Sequence, residues 1–188
     1  MNRRVVVLGV LATLVVGAVA LAGYHRFQGS SQSPYIGFQS RAIKALADTE
    51  VAELREGRGM GMALAAELNG YPGPRHVLEL ADRIGLAPSQ RATVEDLFAR
   101  MQREAIAQSE KVISAERSLD ALFGSATATE EGLAQAVRVA AETRGTLRLI
   151  HLRYHIEVPQ LMSVGQIAAC RKLRGYGDHG SGHGTHGG

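Results

Sequence analysis

From Pro88 to about Phe123 the apolar positions step by three, four or seven, through Val94, Leu97, Phe98, Met101, Ala105, Val112, Ala115, Leu119 and Leu122. That spacing keeps them on one face of a 3.6-residue helix, which at 1.5 Å per residue is roughly 50 Å long. A second run of the same kind extends from Glu130 toward Leu161. Between them Gly124 to Thr129 turns the chain, with Thr127 and Glu130 at capping-box spacing and Thr129 as the competing cap. Two long amphipathic helices joined by a short loop predict an antiparallel hairpin. The shorter elements are less regular. Ile36 to Leu46 carries a short helical pattern, and Asp48 reads as the N-cap of a further turn or two that Gly57 and Gly59 interrupt. MGMALAAEL continues as helix to Asn69-Gly70, before the sharp turn Tyr71-Pro72-Gly73-Pro74. His76 to Ile84 is a short amphipathic helix ended by Gly85, and Ser163 with Gln166 opens a last helix to about Arg174. No stretch sustains a period-two alternation. The expected fold is all-α, a long antiparallel helical hairpin covered by shorter N-terminal helices, because neither long helix can bury its stripe alone.

Two segments fall outside this periodicity. Asn2-Arg3-Arg4 precedes an uncharged run from Val5 to Gly23, with the small-residue triplet Ala20-Leu21-Ala22. A basic start, an apolar stretch and small residues fit an export signal, and the run is nearly long enough to span a bilayer. Residues 1–22 are therefore read as a cleaved signal or a retained inner-membrane anchor, and both place the remainder in the periplasm. Residues 23–34 form a Gly/Ser/Gln-rich linker, 35–176 the helical-hairpin domain, and 177–188 a disordered His/Gly-rich tail. Net charge is only +3 and includes Arg3 and Arg4. The body is thus near neutral, which argues against a nucleic-acid partner. Cys170 is the single cysteine, so no intramolecular disulfide forms. It is either a small buried side chain or half of an intersubunit bridge.

The candidate chemistry lies in HLRYH, which places His151 and His155 one helical turn apart. With Leu133 at zero on the helical wheel, Val137 lies near 40°, Ala140 near −20° and Leu147 near −40°. His151 returns to about 0° and His155 to about 40° by the same rotation, so both face the apolar stripe. Each is either a core histidine with satisfied ring nitrogens or half of a metal-binding pair. An unsatisfied buried polar group costs roughly 1–3 kcal/mol, and a shared metal ion would satisfy two nitrogens at once. Imidazole suits Zn, Ni, Co and Cu, with carboxylate, thioether or water completing the shell. Met60, Met62, Glu67, His76 and Glu79 form the upstream reservoir of such groups, with packing for the methionines and a solvated helix position for Glu67 as the plainer alternatives. In the tail, His179, His183 and His186 are flexible imidazoles suited to weak, adaptable metal binding. No organic cofactor motif is present. The chain also lacks H-E-x-x-H, G-x-S-x-G and a phosphate loop, so an enzyme is not expected.

Leu86-Ala87-Pro88-Ser89-Gln90 before the first long helix, and Leu161-Met162-Ser163-Val164-Gly165-Gln166 before the last, resemble the paired L-T-x-x-Q motifs of the Spy/CpxP family. The block GMGMALAAELNGYPGPRHVLELA and the end LRGY resemble members described as metal sensors or chaperones. The likeness covers roughly Ile36 to Tyr176, with Ala87 standing where the family has a capping Thr. That group includes periplasmic refolding chaperones, the zinc resistance-associated protein and heavy-metal sensors. The resemblance implies a homodimer, with unfolded-protein clients or a membrane-bound signalling partner. Sensor-type relatives draw ligands from different helices, with a carboxylate and a methionine, which draws attention to Glu67 and Met62. The function expected is a periplasmic metal-binding stress protein, a heavy-metal sensor or buffer. The alternative is an ATP-independent chaperone that binds unfolded chains.

Overall fold

A computed structural model describes residues 33–176 of the chain. The segment read as an export signal or anchor and the histidines of the tail lie outside the described residues. What is described is all-α, with no β-strand among these residues. Six α-helices follow in order: α1 (Asp48–Arg55), α2 (Leu64–Glu67), α3 (Pro74–Glu79), α4 (Pro88–Gly124), α5 (Glu130–Glu157) and α6 (Val164–Leu173). Short 3-10 turns occupy Phe38–Ser40 and Val158–Leu161. None of these helices is long and apolar enough to cross a membrane.

Two compact units divide the chain at Ser40. In the first, the described part is a run of turns in which the Tyr35 and Phe38 rings meet at 5.7 Å. The helix expected over Ile36 to Leu46 is not formed. Gly37 takes φ +91°, a left-handed conformation that ends regular helix, and beyond the unit boundary Ile43 and Leu46 form only an isolated bridge.

The second unit, from Arg41, is built on α4 and α5. Their partners run in opposite sequence order. Gln108 Nε2 donates to the Thr143 carbonyl at 2.9 Å, Tyr154 Oη donates to Glu104 at 2.9 Å, and Gln90 Nε2 donates to the Leu161 carbonyl at 2.6 Å. The two helices are therefore antiparallel. Thr129 caps α5, its hydroxyl accepting from Gly132 N at 3.1 Å, while the Thr127 hydroxyl pairs with Ser125 instead. At its other end α5 stops at Glu157, four residues short of the expected Leu161. Pro159 lacks the N–H that the next helical bond needs, and the chain tightens into 3-10 form.

The two glutamines of the repeated motif serve each other's turn. Gln90 Oε1 accepts from Ala87 N at 2.8 Å and Gln166 Oε1 accepts from Ser163 N at 2.9 Å, so each closes its own helix start. Gln166 Nε2 then donates to the Gly85 carbonyl at 3.0 Å, matching the reach of Gln90 to Leu161. The amides also meet at 3.0 Å. Ser163 supplies the reciprocal cap with its hydroxyl, whereas Ala87 has none to offer.

Shorter elements start where local chemistry dictates. Ala47, not Asp48, is the N-cap of α1, and the Glu50 carboxylate accepts from Ala47 N at 2.8 Å. MGMALAAEL yields only the single turn of α2, because Met60 and Gly61 are both left-handed, at φ +45° and +76°. Pro74 opens α3 at its N1 position, two residues before the expected start. Two apolar clusters result. One gathers Val77, Ile84, Val94, Leu97, Tyr154 and Val158 at the open end of the antiparallel pair. The other gathers Ile43, Leu46, Leu54, Val112, Ile113 and Leu147 further along. Cys170 is buried in the first, at 1% exposure, which favours the small-core-residue reading over an intersubunit bridge. Between the two clusters lies the site.

Candidate functional site

Along α5, Leu147 belongs to one cluster and Tyr154 to the other, and His151 occupies the interval between them. His151 and His155 are both buried, at 3% and 7% exposure. The helical wheel placed them inside, and they are inside. The same wheel placed Val137 inside, yet it is exposed, because the covering elements do not extend to that part of α5.

Both histidines line a cavity of about 300 Å³ whose wall includes Met60, Glu67, His76 and Tyr176. The His155 ring is set by a main-chain oxygen: its Nδ1 donates to the Tyr71 carbonyl at 2.7 Å. A carbonyl only accepts, so Nδ1 carries the proton and the neutral ring has its lone pair on Nε2. The space in front of Nε2 exists because residue 73 has no side chain. A Cβ on Gly73 would fall 2.5 Å from that nitrogen. At His151, Nε2 is sealed from solvent without a hydrogen-bond partner, while the Nδ1 edge lies against Gly59. Burial pushes both imidazoles below the ordinary histidine range. For His151 the neighbouring His155 adds to the depression. For His155 the Tyr71 carbonyl and the Glu67 charge oppose it and His76 adds to it. Both rings are thus held neutral, as metal ligation requires.

Glu67 is not the solvated helix residue that one reading of the sequence allows; it is buried at 8% exposure. Its Oε1 accepts from Arg174 Nη2 at 2.9 Å and from the Tyr176 hydroxyl at 3.2 Å. Its Oε2 accepts from His76 Nδ1 at 2.8 Å. The carboxylate is therefore engaged on both oxygens by residues from α3 and from the end of α6. His76 in turn has its ring orientation fixed by the Nδ1–H it donates to this carboxylate. The sequence put His76 only in the reservoir of upstream donors. Its pairing with Glu67 spans nine residues and a proline turn and has no periodic signature.

Met62 lies elsewhere. It packs on the second cluster and lines a separate groove with Ala141, Arg144 and Arg148. The methionines that line the histidine cavity are Met60 and Met101. Met60 reaches it from a left-handed backbone, a conformation that non-glycine residues adopt at some cost. Met101 is indistinguishable in the sequence from any other residue of the α4 stripe. Among the described residues, no three His, Cys, Asp or Glu side chains form a group that could hold a metal ion. His151 and His155 share the cavity wall with Met60 and Met101. His179, His183 and His186 lie outside the described residues. No family model, curated protein or solved structure matches the chain.

Proposed function

We propose that this chain is an exported metal-binding stress protein, a periplasmic sensor or buffer of heavy metal with the helical hairpin of the Spy/CpxP type. The observation that carries the reading is the state of the two buried rings. His155 is oriented by the Tyr71 carbonyl with Nε2 left as a lone pair, and His151 has a sealed nitrogen with no partner. A carbonyl on the far ring nitrogen is the arrangement that fixes tautomer and orientation in ligating histidines. A core histidine would ordinarily satisfy its buried nitrogens within the protein. Zn, Ni, Co or Cu fits a donor set of imidazoles and thioethers. The test is calorimetric titration of untagged protein, His151→Ala and His155→Ala, alongside melting curves of the metal-free forms. Metal ligation predicts that either substitution abolishes one binding event. A purely packing role predicts lower melting temperatures with stoichiometry intact.

A second reading, an ATP-independent chaperone, is favoured by one observation. On the long helices Phe123, Val137 and Val139 are exposed, and Val139 lines an open groove together with Ala115, Ala136, Glu110 and Lys111. Apolar patches ringed by charge suit transient capture of unfolded chains. Suppression of client aggregation by metal-free protein, unchanged in His151→Ala, would favour this reading over the first.

A further inference from the structure

The charge and softness of the cavity wall narrow which ion it suits. His151 Nε2 is buried without a hydrogen-bond partner, and His155, held through Nδ1 by the Tyr71 carbonyl, turns Nε2 toward Gly73. Met60 and Met101 line the same cavity. Met101 is buried on α4 at 7% exposure, and Met60 comes from the left-handed backbone between Gly59 and Gly61. A methionine on three rotatable bonds adapts its reach to an irregular space. All four groups are uncharged as donors. The buried carboxylate of the wall, Glu67, has one oxygen engaged by Arg174 and Tyr176 and the other by His76. Of the other arginines on the wall, Arg58 is paired with Glu56 and Arg75 with Glu79. Among the described residues, that leaves Glu53 as the wall carboxylate with no ion pair. One uncompensated negative charge balances a monocation and only half of a dication. The cost of taking an ion out of water rises with the square of its charge, so the imbalance weighs against divalent ions.

We propose that the ion this cavity selects is a soft monocation, Cu(I), held by His151 and His155 through nitrogen and by Met60 and Met101 through sulfur. Thioether sulfur is a soft donor that favours Cu(I), and the two imidazoles add nitrogen without adding charge. Zn(II), Ni(II) and Co(II) gain less from thioethers and would need an anionic ligand that Glu67 supplies only by giving up its present partners. This rests on the metal-binding reading above and narrows it to one class of ion.

The test uses the untagged full-length chain carrying His179→Ser, His183→Ser and His186→Ser, so that tail imidazoles do not contribute to the signal. Cu(I) is titrated anaerobically against a colorimetric chelator, Ag(I) serves as its redox-inert analogue, and Zn(II) is titrated by calorimetry. One Cu(I) per chain is expected, displaceable by Ag(I) and bound at least tenfold more tightly than Zn(II). Met60→Leu and Met101→Leu remove sulfur while nearly conserving volume. Each is expected to weaken Cu(I) at least fivefold and to change Zn(II) less than twofold, whereas His151→Ala is expected to weaken both ions. X-ray absorption of the Cu(I)-loaded chain is expected to show copper bound to sulfur as well as nitrogen, with less sulfur in either methionine variant. A copper spectrum without sulfur, sulfur undiminished in both variants, or a smaller preference over Zn(II) overturns the inference and leaves the metal reading standing. A Cu(I) affinity unmoved by both methionine variants does the same. A chain that binds none of the three ions tighter than millimolar overturns both.

Discussion

At the scale of single residues, the imidazoles of α5 tie stability to pH. Both are held neutral by burial, with folded pKa values below the 6.5 expected of the unfolded chain. Between the folded and unfolded values the unfolded state binds more protons, so stability rises with pH through that window and falls as pH drops below about 6.5. The metal-free protein is expected to melt at progressively lower temperature from pH 7 toward pH 5, and His151→Gln is expected to flatten that dependence. Melting curves across the range check it; parallel curves for wild type and variant would count against buried neutral rings. Gly73 gives a second expectation at this scale. A methyl group there overlaps His155 Nε2, and the ring cannot retreat without losing the Tyr71 carbonyl. Gly73→Ala should destabilise by about 1–3 kcal/mol, as overpacking does, and should weaken metal binding as well. A variant that melts with wild type and titrates identically would show the space to be incidental.

At the scale of elements, the helix starts are where sequence and structure agree most closely and where one defect stands out. Ala87 sits at the N-cap of the longest helix with extended backbone, φ −65° and ψ 151°, and offers no side-chain acceptor. Thr in that geometry would accept from the backbone N–H of Gln90, and Ala-to-Thr caps are worth roughly 0.5–2 kcal/mol. Ala87→Thr is expected to raise stability by about 1 kcal/mol, measured by denaturant midpoint. Gln90 and Gln166 carry the opposite expectation. Each amide closes its own helix start and also donates to the other's turn, so Gln90→Ala removes both functions and strands the Leu161 carbonyl. A loss of about 1–3 kcal/mol follows. Gln166→Ala after Gln90→Ala should cost less than it does in wild type, because the amides bond each other and contacting residues are not additive. Additive losses would mean the two caps are independent.

At the scale of the whole molecule, apolar side chains outside both clusters bear on assembly. Leu149 and Ile156 of α5 are exposed at 64% and 57%, and Phe123 at 60%. Exposed apolar surface of this kind on two long helices commonly marks an interface. A homodimer is the expected state, checked by sedimentation at micromolar concentration. Leu149→Glu with Ile156→Glu should shift the protein toward monomer if α5 provides the interface. A monomer throughout, with and without metal, would exclude it. Metal belongs to this scale too, since a ligand that binds only the folded state adds about 2.7 kcal/mol at a hundredfold excess over its dissociation constant.

Patterns local in sequence were sufficient for the all-α class, the two long helices, the Ser163 cap and the inward face of HLRYH, and they narrowed the cap of α5 to Thr127 or Thr129. Each depends on a 3.6-residue period or a three-residue cap, whose consequences lie within one or two turns of the chain. The elements that failed to form as expected, over Ile36 to Leu46 and MGMALAAEL, contain glycines whose left-handed backbone is compatible with their neighbours' propensities only once the chain is packed. Glu67 and Met62 divide on the same ground. Helical context left both open, and it was the approach of Arg174 and Tyr176 from more than a hundred residues away that engaged Oε1 of the buried carboxylate, while His76 holds Oε2. Met62 was carried to another groove by two consecutive left-handed residues. The role of Tyr71 and Gly73 around His155 was likewise invisible, because a carbonyl and a missing methyl group carry no side-chain signal. Periodicity determines which face of a helix is buried; what meets that face is decided by contacts between residues far apart in the chain, and those exist only in the tertiary structure.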